Sequence, residues 1–273
     1  EKTYVGKALS WLGAFIILGG SFGYYLGGFV SRFQSFFETS SYQYVFLVQI
    51  VAIAIYALLV FIIIKPINEV HVVQQNTLLT NIKNMIKIPF HQTLFFISLM
   101  FATMSYIYMS KYLDVYFNTL GYNPSILGQF VLISGIISVL FTLLVVPKII
   151  YMNKMIWITV FFMMSIMSLL IGFRVNNFLL SMYTIYIFYV ISKAAYQPFE
   201  QSYIASFESL PYGALMGIRQ LFVGLGMVIG PVLLGNIYDI DPILSFDFAA
   251  LMILISLVFS LLSVIQRKKI KKS

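Results

Sequence analysis

Eight stretches of this chain are long and apolar enough to cross a lipid bilayer, and that leaves it little choice of fold. They run at about 9–30, 43–65, 93–116, 125–147, 155–174, 178–207, 213–238 and 244–266. A span needs roughly 20 predominantly apolar residues to cover about 30 Å of hydrocarbon, and each run meets that length. The gaps between them hold turn formers, such as GYNPS at 121–125 and DIDP at 239–242. With 60% hydrophobic residues, 10% charged residues and a mean hydropathy of +0.93, a soluble domain would be left with a greasy, aggregating exterior. The expected fold class is an all-α integral membrane protein with eight transmembrane helices.

Several functions drop out early. Cysteine is absent, so there is no disulfide framework and no thiolate metal site. The two histidines, His71 and His91, fall in the long polar connection rather than within a span. No HExxH or P-loop pattern occurs. The expectation is no metal, no cofactor and no enzymatic activity. The net charge of +8 has a topological explanation. If the tail QRKKIKKS faces the cytoplasm, the cytoplasmic segments carry thirteen Lys and Arg residues, and the external segments carry only Arg32 and Arg174. This is the positive-inside asymmetry. It puts both termini in the cytoplasm, makes the lipid bilayer the partner of the basic charge, and argues against nucleic acid.

The long connection, 66–92, ends in TLLTNIKNMIKI, whose Leu78, Leu79, Ile82, Met85 and Ile86 have helical spacing with lysines interleaved. A short helix lying on the inner membrane surface is expected there. Two spans precede it and six follow. A repeat accounts for the imbalance. Five glycines crowd into GGSFGYYLGG at 19–28, although glycine costs about 1 kcal/mol in a helix interior, and the pattern returns in GIRQLFVGLGMVIGPVLLG at 217–235. At an offset of 207, Ser10 meets Gly217, Gly19 meets Gly226, Gly23 meets Gly230 and Gly28 meets Gly235. Helices one and two therefore correspond to seven and eight. On a six-helix repeat, residues 1–65 are the last two helices of an N-terminal bundle, 66–92 the cytoplasmic linker, and 93–273 a six-helix C-terminal bundle with a basic tail. The chain then reads as the trailing two thirds of a twelve-helix protein.

Ser10-x8-Gly19-x3-Gly23-Tyr24-x2-Gly27-Gly28 resembles the pattern G-x8-G-x3-G-P-x2-G-G, which marks the fifth helix of drug/proton antiporters in the major facilitator superfamily. Ser10 replaces the first glycine and Tyr24 the proline, while the second copy keeps Gly217, Gly226, Gly230, Pro231 and Gly235. VPKIIYMNKM, with Pro147, Lys148, Asn153 and Lys154, is similar to a degenerate form of that superfamily's loop motif between helices eight and nine. The resemblance implies a 6+6 helix fold, alternating access, a small-molecule substrate near the midplane, protons as coupling ion and a monomer in the cell membrane. It places Gly19, Gly23, Gly27, Gly28, Gly217, Gly226, Gly230 and Pro231 where two bundles pack and rock. A composition rich in Ile, Lys, Asn, Phe and Tyr hints at a bacterial source.

Ionisable groups inside spans cost about 2.5–3.5 kcal/mol each on insertion scales, so each needs a reason. Lys111 and Asp114, three apart in the third span, form either a pair neutralising itself toward the external side or an external gate or cavity pair. Lys193, Gln197 and Glu200 form one polar stripe on the sixth span, beside Tyr196 and interrupted by Pro198. Such a stripe should face the interior or a water-filled cavity. Desolvation favours the neutral form of a carboxyl, which makes Glu200 the first candidate for carrying a proton; alternatively Lys193 holds it ionised, or Lys193 bridges to Asp114. Arg219 reads as an interfacial anchor or an inner gate. The tyrosines of the third and sixth spans serve as belt, packing or pocket lining. The leading expectation is proton-coupled efflux of small hydrophobic or amphipathic compounds. The alternatives are a metabolite or organic-anion carrier and a non-transporting scaffold or sensor.

Overall fold

The computed structural model describes residues 2–33, 43–63 and 88–270. The described residues are helical throughout, with no strand, and contain eight helices of spanning length. These are α1 (Lys2–Phe33), α2 (Gln43–Ile63), α3 (Phe90–Thr119), α4 (Pro124–Leu144), α5 (Lys154–Gly172), α6 (Phe178–Ile204), α7 (Tyr212–Tyr238) and α8 (Pro242–Ile270). A short helical turn, Val146–Ile149, extends α4. The surface helix expected within 66–92 lies outside the described residues except for 88–92, where α3 begins.

The helices begin where the sequence supplies caps. Asn123, Asn153 and Asn177 each accept a backbone N–H in the first turn of α4, α5 and α6, from Ser125 (3.2 Å), Met155 (3.2 Å) and Leu180 (3.1 Å). Pro124 follows its cap at the first helical position, where its missing N–H costs nothing. At the end of α3, Gly121 turns at a φ of 76°, and the Tyr122 N–H bonds the Phe117 carbonyl at 3.0 Å. This closes the helix in the left-handed cap conformation that glycine adopts without penalty.

Helices α3 to α8 share one apolar core, to which α1 and α2 contribute no described residue. Helix α3 is central, packed along α7 and α8, while α5 joins α6 to α8 and α4 lies on α6. Small side chains make the close contacts, as expected where lipid removes the hydrophobic drive between helices. Ser256 of α8 donates to the Ser98 carbonyl at 2.7 Å, and the Tyr108 hydroxyl donates to Ser245 at 2.5 Å. At one end of the core stands an aromatic cluster, in which Phe173 stacks on Phe246 at 3.9 Å between centroids and Tyr116, Phe117 and Phe178 meet edge to face. Arg174, in the connection after α5, bonds Asp247 in the second turn of α8 at 2.5 Å. That hydrogen bond lifts the guanidinium pKa above its ordinary value.

Helix α1 packs on α4 and touches α6, and α2 lies against α1, with its described side chains turned outward. The α1–α4 contact is made by small residues at heptad spacing. Ala14, Ser21 and Gly28 are buried on α1, and Gly128, Gly135 and Thr142 on α4. A Cβ on Gly28 would stand 3.1 Å from the Pro124 carbonyl oxygen, and one on Gly128 would stand 3.1 Å from that of Tyr24. The two backbones therefore touch. Gly19, Gly23 and Gly27 do not take part in this contact. At 3.6 residues per turn they lie on roughly the opposite side of α1, where a Cβ would meet nothing within 4 Å and they border a recess of about 680 Å³ beside α2.

The second glycine set makes close backbone contacts of its own. Cβ atoms on Gly226 and Gly230 would come within 2.6 Å of the Met100 and Met104 carbonyl oxygens. These glycines, with Pro231 in the same helix, pack α7 onto α3 inside the six-helix core, not across from α1. Gly217 meets nothing within 4 Å. The repeat is real in sequence, but its two copies meet different neighbours.

Candidate substrate cavity

A cavity of about 260 Å³ opens between α1, α3, α4 and α6. Its walls are mostly apolar, from Ile16, Ile17, Phe130, Val131, Tyr186 and Tyr189. The backbone of α6 is shaped for it. Met182–Tyr186 forms a π-helical turn, a local widening common at functional positions, and the cavity-lining residues of α6 begin at its last residue, Tyr186. On α4, Ser134 and Ser138 also line it, but their hydroxyls bond backbone carbonyls of their own helix, at Val131 (3.2 Å) and Ser134 (2.8 Å).

Two charged side chains face the cavity. Asp114 of α3 accepts the Tyr24 hydroxyl of α1 at 3.2 Å. Lys193 of α6 donates to the Tyr106 carbonyl at 3.3 Å and to the Ser110 hydroxyl. Gln197, one turn beyond Lys193, lines the cavity too and has no hydrogen-bond partner among the described residues. Among the described residues the ion pairs within 4.0 Å are Arg174–Asp247 and Arg219–Glu200. The Lys193–Asp114 bridge, one of the alternatives, is therefore not formed, and Lys111 makes no contact with Asp114 within 4.0 Å. Lys111 is exposed and lies off the cavity.

The polar stripe on α6 divides. Lys193 and Gln197 reach the cavity, whereas Glu200 turns to α7. Its carboxylate, 1% exposed, accepts the Arg219 Nε–H at 2.8 and 3.2 Å through its two oxygens, and a further Arg219 N–H at Oε1. Charge-assisted, forked contacts of this kind are the strong ones. Arg219 is thus not simply an interfacial anchor, and the group that holds Glu200 is Arg219 rather than Lys193. Tyr196 is buried beside them, 4.9 Å from Phe162 and 5.7 Å from Tyr106 between ring centroids, and does not line the cavity. Nearby, Lys154 donates to the Ser202 carbonyl at 2.8 Å, capping the end of α6 with a cation. Among the described residues no three His, Asp or Glu side chains converge as metal ligands.

Sequence reasoning passed over Tyr24, which reads as a lost proline, and Ser110, one hydroxyl among many. A signal for Tyr24 existed: a phenol in a glycine-lined span. The Glu200–Arg219 pair also had one, because both residues lie within two turns of the connection joining α6 to α7 and so arrive near the same end of the membrane.

Among curated proteins, none matches the chain. A family model does: that of the Major Facilitator Superfamily, over residues 1–210.

Proposed function

The chain belongs to the major facilitator superfamily, and from that premise we propose that it is a secondary transporter that exports small amphipathic compounds in exchange for protons. Members of the superfamily are multi-pass membrane transporters rather than enzymes. The finer reading rests on one observation: Asp114 faces an apolar cavity, where its hydrogen-bond partner is a neutral hydroxyl. An ion-paired carboxylate resists protonation, because its partner stabilises the charge. Among the described residues Asp114 has no cation within 4.0 Å, and it can exchange a proton for the positive end of a substrate. Glu200, the candidate favoured by sequence, is instead committed to Arg219. In this reading Glu200 and Arg219 hold α6 and α7 in register beside the cavity, and Asp114 does the exchanging. The α1–α4 seam, backbone on backbone with few side chains to unlock, is where the first two helices would rock against the other six.

The ammonium of Lys193 in the same wall favours a second reading, a carrier of organic anions. Accumulation of a fluorescent lipophilic cation decides between them, in cells lacking their own efflux pumps and expressing the whole protein. Export is expected to lower accumulation, a protonophore to restore it, and Asp114→Asn to restore it without any protonophore. Accumulation unchanged by expression would overturn the export reading, and proton-driven export by Asp114→Asn would remove that residue from the mechanism.

A further inference from the structure

We infer that the cavity takes a compact zwitterion, with its ammonium at Asp114, its carboxylate at Lys193 and an apolar body between α1 and α4; this rests on the reading of the cavity as the substrate site. Both charges line one cavity, yet no N–O contact within 4.0 Å joins them, and their hydrogen-bond partners are neutral; the cation that acts on Asp114 from its own helix, Lys111, is exposed and lies outside the cavity. A charge withdrawn from water without an opposite charge is costly. Two opposite charges left apart in one apolar cavity form a pair with a gap, which a ligand carrying both signs completes.

The geometry sets the span of that ligand. Lys193 bonds Ser110, and Asp114 lies four residues further along α3, about 6 Å at 1.5 Å per residue. That separation suits a ligand whose own charges are a few bonds apart. Gln197, without a hydrogen-bond partner among the described residues, stands one turn from Lys193 to bond the carboxylate. Ile16, Ile17, Phe130 and Val131 offer an apolar surface for a side chain. At about 260 Å³ the cavity is just below the roughly 300–1,000 Å³ of pockets for drug-sized ligands, which favours a molecule of amino-acid or dipeptide size. A lipophilic cation would satisfy Asp114 and leave Lys193 unanswered. An anion would do the reverse.

Three probes of one shape test this on the whole purified protein: phenylalanine, its amide as the cation, and N-acetylphenylalanine as the anion. Binding is read as thermal stabilisation and as counterflow in proteoliposomes. Phenylalanine is expected to bind at least tenfold more tightly than either analogue. Asp114→Asn should remove its advantage over the N-acetyl form, and Lys193→Gln its advantage over the amide. The amide binding as tightly as phenylalanine, with Lys193→Gln without effect, would overturn the zwitterion while leaving the cavity as substrate site. Binding of none of the three, together with lipophilic-cation transport indifferent to both substitutions, would overturn the cavity reading as well. Far-ultraviolet circular dichroism of each variant guards against misfolding, and Lys193→Arg, which keeps the charge, should retain the preference.

Discussion

Glu200 and Asp114 are both carboxylates inside spans, and their surroundings give them different work. Glu200 is 1% exposed and gripped by Arg219 through several N–H groups. Removing one partner of such a pair leaves a buried charge uncompensated, at a cost of about 3–5 kcal/mol. Glu200→Gln and Arg219→Gln are therefore each expected to lower the melting temperature of the purified protein by several degrees. The double variant, which leaves no orphan charge, should recover most of the loss. Single variants as stable as wild type would show that the pair is not maintained in the membrane. Asp114→Asn, by contrast, keeps an acceptor for the Tyr24 hydroxyl and removes only the charge. It should leave stability nearly unchanged and affect exchange alone, so stability and transport separate the two carboxylates.

At the scale of the helix, the glycines divide into those that touch a backbone and those that do not. A Cβ on Gly230 would lie 2.6 Å from the Met104 carbonyl oxygen and 2.7 Å from its Cα, whereas one on Gly23 meets nothing within 4 Å. Gly230→Leu should push α7 off α3 and cost upward of about 3 kcal/mol, the upper range of overpacking in a well-packed core. Gly23→Leu should leave the six-helix core intact. Thermal denaturation followed by tryptophan-independent far-ultraviolet dichroism separates them, and equal stability of the two variants would contradict the α7–α3 contact. The periodicity of Gly19, Gly23 and Gly27 is visible in sequence and identifies a smooth helical face. What that face meets is not visible there, because helical spacing defines a direction only relative to the helix's own axis.

Across the whole molecule, the charge asymmetry makes a claim about orientation that the natural absence of cysteine makes easy to check. Single cysteines at Asn176, in the connection between α5 and α6, and at Tyr151, in the connection between α4 and α5, lie at opposite ends of α5. With both termini cytoplasmic, an impermeant maleimide added to intact cells should label Asn176→Cys and spare Tyr151→Cys until the membrane is opened. The reverse pattern would invert the topology. Two positive charges outside against twelve inside, with Arg219 set aside in its buried pair, carry that expectation, and the aromatic cluster around Phe173, Phe178 and Phe246 then belongs to the external end.

Hydropathy alone set the eight helices, their limits to within a few residues at most ends, and their assembly in a membrane, because the hydrocarbon thickness dictates span length and burial of apolar runs needs no knowledge of neighbours. The Asn caps at 123, 153 and 177 were equally local, since an N-cap bonds within its own first turn. Lys193, Gln197 and Glu200 were legible as an inward stripe, but not that the stripe splits between a cavity and an ion pair. The pairing of Glu200 with Arg219, the bond from Tyr24 to Asp114 and the seat of Lys193 on Ser110 each join residues on different helices. Those partners depend on how far each helix is rotated and shifted against the next, which steric contact among small residues decides only when the helices are packed together.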